Sequence, residues 1–150
     1  MKYEIFKEKN IKVNSKEIDD AVKNFTKLFK IDAKNYLSIA FVLPNTIKKL
    51  NYKYRKIDKV TDVLSFGSQQ DLQGKQSIQF FDPNFIGEII ICHKQAVRQA
   101  KDNGISERQE IKKLLTHGLV HLMGYDHKTK AEEYKMRTEE TKILGNIFYD

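Results

Sequence analysis

The stretch His117-Gly118-Leu119-Val120-His121-Leu122-Met123-Gly124-Tyr125-Asp126-His127 constrains this chain more than any other, because it holds three of the four histidines within eleven residues. His117 and His121 are four apart, so a helix sets them one turn apart on one face. Two imidazoles at that spacing can share one tetrahedral metal ion, at about 2.0–2.1 Å per nitrogen. Gly124 is a natural helix stop, since glycine enters the left-handed C-terminal conformation without a steric penalty. The chain can then turn back and bring His127 to the same ion. Three neutral nitrogens with a fourth position left to water form the open pattern of catalytic zinc. A lone histidine beside an apolar helix face is ordinarily a core or surface residue. Three, with a helix-ending glycine between the second and third, point to a metal centre. Zn2+ is the expected ion, although three histidines also accept nickel and other divalent ions.

The 150 residues suffice for one domain, 1–150, with a real core. A hydrophobic share of 40% and a charged share of 31% suit a soluble globular chain, and no apolar run reaches the roughly 18 residues of a membrane helix. The alternating, acid-bearing start from Met1 to Glu8 reads as a first strand and not as a signal peptide. The single cysteine, Cys92, excludes an intrachain disulfide and suits a reducing cytoplasm; it follows Ile89-Ile90-Ile91 and reads as a small buried residue. The net charge of +7 and pI near 9.3 favour a polyanionic partner, nucleic acid being the commonest.

Taken in order, residues 2 to 7 are expected as a strand. Asn14, with Glu17 three residues on, predicts a capped helix with Ile18, Ala21, Val22, Phe25, Leu28 and Phe29 inward. Tyr36 to Leu43 reads as a buried strand, broken by Pro44-Asn45. A short helix from about Thr46 to Tyr54 turns Ile47, Leu50 and Tyr54 inward. Thr61 to Gly67 is a strand entered from a loop. Ser68 to Asn84 is the candidate for a long mobile loop, with a weak hairpin through Ile78-Gln79-Phe80-Phe81. Phe85 to Cys92 is another strand, in which Gly87 predicts a bulge or a close backbone approach. A helix from His93 to Asn103 buries Ala96, Val97 and Ala100 and stops at Gly104; its His93 reads as a surface or helix-capping residue. Ser106 and Gln109 form a capping box for the helix that carries His117 and His121, whose apolar face is Ile111, Leu114, Leu115, Gly118 and Leu122. Thr129 and Glu132 cap a last helix that buries Met136, Ile143, Leu144, Ile147 and Phe148. The order β-α-β-α-β, loop, β-α-α-α gives an α+β fold: a single domain with a small mixed β-sheet packed against helices and the metal-binding helix central.

Lys48, Lys49, Lys53, Arg55, Lys56 and Lys59 form the densest basic cluster, interleaved with Tyr52 and Tyr54. Cations bind phosphates and aromatic rings stack on unpaired bases, a mixture that suits single-stranded RNA. The same composition also suits a plain solvated helix face.

Three motifs together carry a family resemblance. The segment His117-Gly118-x-x-His121-Leu122-x-Gly124-Tyr125-Asp126-His127 resembles the signature of the YbeY family of bacterial endoribonucleases. Asn51-x-x-Tyr54-Arg55-x-x-Asp58-x-x-Thr61-Asp62-Val63-Leu64-Ser65-Phe66 resembles its second motif and Gly87-Glu88-Ile89-Ile90-Ile91-Cys92 its third, with Met136 and Glu140 fitting the pattern beyond. Val60 stands where the family commonly has proline, and Glu88 where it commonly has aspartate. The resemblance implies a zinc-dependent, single-strand-specific endoribonuclease. It implies action on rRNA and the small ribosomal subunit, in 16S rRNA 3′-end maturation and ribosome quality control. It also implies His117, His121 and His127 as metal ligands and Arg55 as a functional arginine.

Chemically, a guanidinium opposite the metal can hold two phosphoryl oxygens at once. A salt bridge from Arg55 to Asp58 or Asp62 is the plainer alternative. Glu88 and Asp126 are candidates for the proton-accepting group, and Asp126 equally for a partner that orients a histidine. Two other functions are open. The spacing His-x-x-x-His-x-x-Gly-x-x-His matches metzincin proteases, but their general base directly follows the first histidine, where this chain has Gly118. A non-catalytic, metal-stabilised RNA- or ribosome-binding factor would share both the zinc site and the basic cluster.

Overall fold

Tyr36–Val42 and Phe85–Cys92 are apolar on both sides of the pleat, the pattern of strands covered on both faces. The computed structural model describes residues 1–67 and 82–145. In chain order the elements are β1 (Lys2–Lys7), α1 (Ser15–Leu28), β2 (Tyr36–Val42), α2 (Pro44–Arg55), β3 (Val63–Gly67), β4 (Phe85–Cys92), α3 (His93–Asn103), α4 (Glu107–Leu122) and α5 (Lys130–Leu144). The expected loop from Ser68 lies outside the described residues except for Asp82 to Asn84. The hairpin through Ile78 to Phe81 and the positions Ile147 and Phe148 also lie outside them.

The sheet runs β1-β2-β4-β3, with β1, β2 and β4 parallel and β3 antiparallel to β4. Side chains alternate across it. Leu37, Ile39, Phe41, Ile89 and Ile91 meet α1, α4 and α5 in the larger core; Ala40, Val42, Leu64, Ile90 and Cys92 meet Ile47 of α2 in the smaller one. The mixed sheet between helices is the architecture expected from the sequence. Cys92 is fully buried, as its setting predicts, and burial pushes its thiol pKa up.

The ends of the helices follow side-chain chemistry. Pro44 both breaks β2 and opens α2, so the helix starts two residues earlier than Thr46. Asn14 Oδ1 accepts from Lys16 N–H at 2.9 Å. Ser106 and Gln109 form the complete reciprocal box, at 3.1 and 2.9 Å. Gly104 ends α3 in the left-handed region, at φ +67°.

Helix α4 touches α1, α3, α5, β3 and β4. Ile111, Leu114, Leu115, Leu119 and Val120 are buried around it, and Leu122 is partly buried against the same core. Each such side chain contributes about 1.5–3 kcal/mol, so α4 is the element that packing holds most firmly.

Gly87 meets both sequence expectations. The β2–β4 pairing steps from Tyr36↔Phe85 to Leu37↔Gly87, which leaves Ile86 as an extra residue. At φ +156°, a Cβ on Gly87 would stand 2.5 Å from the Phe66 carbonyl oxygen and 3.0 Å from Leu122 Cδ2. Gly87→Ala is therefore expected to destabilise the fold by about 1–3 kcal/mol. A lower midpoint in urea with an unchanged slope would show it; an unchanged midpoint would mean that β3 and α4 yield freely.

Candidate metal centre

Helix α4 brings His117 and His121 to one face by its own periodicity. Its rotation is set by Gly118, where a Cβ would stand 3.0 Å from Ile89 Cγ2 and 3.2 Å from Ile89 Cδ1. Glycine lets the helix lie close against β4, which turns the two histidines into the open space beside it. Gly124 adopts φ +93° and donates its N–H to the His121 carbonyl at 2.9 Å, which closes the helix as the sequence predicts. The returning turn is pinned twice. The Tyr125 ring packs edge-on to Phe29 at 6.2 Å, and Asp126 Oδ1 accepts the His127 N–H at 2.8 Å. The three imidazole centroids then lie 5.0, 5.3 and 5.5 Å apart, and one ring nitrogen from each falls within 4.8 Å of the others.

A fourth residue completes the arrangement. Glu140, on α5, is only 6% exposed and its Oε1 lies 2.6 Å from His117 Nδ1. With Nδ1 as the donor to this carboxylate, Nε2 would be the nitrogen left to ligate an ion. A carboxylate behind a ligating imidazole fixes its tautomer and raises its basicity. Burial, followed by the neighbouring His117 and His127, pushes the His121 pKa down, which favours the neutral form a metal needs. The backbone N–H of His127 holds the Asp126 pKa below the usual carboxylate value, with His121, Lys128 and His127 adding to it. Three imidazoles, one of them carboxylate-backed, fit a zinc-type ion and leave room for a further ligand.

The triad opens into a cleft of about 980 Å3. One wall is α4. Arg55, the run Thr61 to Phe66, and Met136, Arg137 and Glu140 of α5 line the same cleft. Arg55 thus faces the same space as all three histidines. The alternative salt bridges do not form: Asp58 lies 3.9 Å from Lys48, and Asp62 accepts from Val63 N–H at 2.8 Å and Gln99 Nε2 at 3.3 Å. Among the described residues Arg55 makes no ion pair.

The other candidates separate. Asp126 lines the cleft, whereas Glu88 does not. Glu88 sits on β4 beside Ser38 and Phe66, and burial, with Glu4 nearby, raises its pKa. His93 opens α3 half-buried, outside the triad. The basic cluster on α2 and just beyond its end is exposed and partly stacked, with Lys53 5.0 Å from the Tyr54 ring centre and Lys56 5.9 Å from that of Tyr52.

Sequence reasoning did not find Glu140's contact with His117, nor the bridge by which Gln99 Nε2 reaches both Asp62 and Glu110 Oε1 at 3.1 Å. A signal existed for Glu140, a single carboxylate within the apolar stripe Met136, Glu140, Ile143, Leu144. If its contact orients the ring, Glu140→Gln is expected to weaken zinc binding by about 10–100-fold with the fold retained. Competition with a chromogenic chelator measures this, and wild-type affinity in the variant would reduce Glu140 to a packing role.

Comparison with known proteins gives a consistent picture. The family model described as Endoribonuclease YbeY matches residues 3–147. An Endoribonuclease YbeY of Mycoplasmopsis synoviae is 40% identical over 121 residues, 81% of this chain and 76% of that protein. One of Staphylococcus carnosus is 38% identical over 130 residues, 87% of this chain and 84% of that one. A solution structure of the Thermotoga maritima protein TM1509 has the same fold, with a TM-score of 0.57 at 22% identity, covering 95% of this chain and 89% of that one. With its three-histidine cluster in place and nearly its whole length matched, the chain belongs to the Endoribonuclease YbeY family.

Proposed function

We propose that this chain is a zinc-dependent endoribonuclease that cuts single-stranded RNA. Its place would be the cytoplasm, in 16S rRNA 3′-end maturation and ribosome quality control at the small subunit. The observation that carries the reading is the cleft itself, lined both by three imidazoles that could hold one ion and by a guanidinium without an ion pair among the described residues. Membership of a family whose relatives are described as endoribonucleases supports the choice of RNA.

In this reading His117, His121 and His127 hold the ion, and Glu140 keeps the His117 ring in its ligating tautomer. Zinc so held supplies positive charge to a phosphoryl group and brings the pKa of water toward neutrality. Arg55 binds two oxygens of the same phosphate, where negative charge grows during hydrolysis. The α2 lysines, with exposed Tyr52 among them, guide the approaching strand. Asp126 has its Oδ1 engaged by the His127 N–H and its Oδ2 3.7 Å from Lys128, which suits orienting the third histidine better than accepting a proton. Peptide hydrolysis is disfavoured because a general-base carboxylate after His117 would have to replace Gly118, whose missing side chain is what lets Ile89 pack.

The decisive experiment is cleavage of a labelled single-stranded rRNA fragment by wild type and His117→Ala, with zinc content measured in both. Cleavage by wild type only, with zinc lost from the folded variant, is the expected result. Equal cleavage by both would indicate a contaminating nuclease. No cleavage by zinc-loaded wild type would favour a ribosome-associated binding factor. Arg55→Lys keeps the charge and loses the fork, so kcat/KM should fall by about 10–100-fold; an unchanged rate would remove the bidentate role.

A further inference from the structure

Three charged or metal-type side chains lie in line on α4. Lys113, His117 and His121 are four residues apart in turn, so they share one helix face, and all three line the cleft. Lys113 is half-buried and forms no ion pair among the described residues. Its acidic neighbours Glu110 and Asp62 are hydrogen-bonded to Gln99, and Glu110 Oε2 has no hydrogen-bond partner among the described residues. Glu110, one turn before it, is 1% exposed and its Oε1 accepts from Gln99 Nε2 at 3.1 Å. Asp62 has Oδ1 on the Val63 N–H and Oδ2 on the same Gln99 amide. The Lys113 ammonium thus lines the cleft without an ion pair among the described residues, one helical turn, or about 6 Å, from His117.

We propose that Lys113 binds the RNA phosphate next to the scissile one, so that the strand runs along α4 from the triad toward the α3 end of the cleft. This rests on the endoribonuclease reading and adds a phosphate subsite and a direction to it. An ammonium suits the task because it acts as a point charge that tolerates any base. Arg55 faces the cleavage point, and Lys113 sets how far the strand must extend beyond it.

The test is binding of a fluorescent single-stranded oligoribonucleotide to the zinc-loaded full chain. Anisotropy is read in the cold before product accumulates, across a range of salt. Loss of one phosphate contact makes the slope of log K against log[salt] shallower by about 0.7. Lys113→Ala should show that change with several-fold weaker binding at low salt, Lys113→Arg should restore both, and Lys23→Ala, on the exposed face of α1, should change neither. Lys113→Gln gives the same reading if the alanine variant does not fold. A neutral methylphosphonate moved along the oligonucleotide should weaken wild-type binding at the step adjacent to the cleavage point and have no effect there in Lys113→Ala. Wild-type slope and affinity in Lys113→Ala, or methylphosphonate effects identical in the two proteins, would overturn the inference while leaving the nuclease reading intact. Failure of wild type to bind single-stranded RNA would overturn both.

Discussion

Helix α4 approaches β4 so closely at Gly118 that any side-chain carbon there would meet Ile89. With that contact made, the apolar residues of α4 are committed to the core, and the helix cannot rotate without exposing Leu115 or Leu119, both fully buried. His117 and His121 are then held at the boundary between core and cleft. Gly87 repeats the principle from the strand side, since its missing Cβ lets β3 and the end of α4 close together. Two absent side chains thus set the depth of the cleft and the direction of the histidines. Packing interiors are dense enough that one methyl group matters at such points.

The cleft also resolves an electrostatic difficulty. A site for a polyanion gains from positive potential, yet five carboxylates line this one, from Asp62, Glu110, Asp126, Glu133 and Glu140. Each engages a partner through at least one oxygen: Glu140 holds His117, Gln99 bridges Asp62 and Glu110, Asp126 takes the His127 N–H, and Glu133 pairs with Arg137 at 3.2 Å, while Glu110 Oε2 has no hydrogen-bond partner among the described residues. Arg55 and Lys113 have no such ion pair among the described residues. Acidic groups held as struts keep the cleft ordered, and the cations beside them, with the proposed ion, would supply the positive potential that the proposed RNA reading needs.

Much of this was legible from spacing alone. Alternation and apolar runs located the strands, caps at Asn14, Ser106 and Thr129 located helix starts, and Gly104 and Gly124 located stops. These signals are local, because a cap bonds within four residues and a strand face repeats every second one. The pair His117 and His121 was legible for the same reason. Pro44 was read as a strand breaker and is also the first residue of α2, which one residue's fixed φ allows.

The sequence by itself determined the kind of site: three imidazoles, two on a helix and one beyond its glycine stop, in a basic chain. Tertiary structure decided the rest. It brought Glu140 from α5 to His117, carried Arg55 from the end of α2 into the lining of the same cleft, and left Glu88 outside it. It also gave the glycines their reasons, for a bulge, a close approach and a helix end look alike in a sequence until a neighbour is known. Local bonding can be inferred from neighbours in the chain. A contact between residues more than 20 positions apart depends on how two surfaces pack, and only the folded core fixes that.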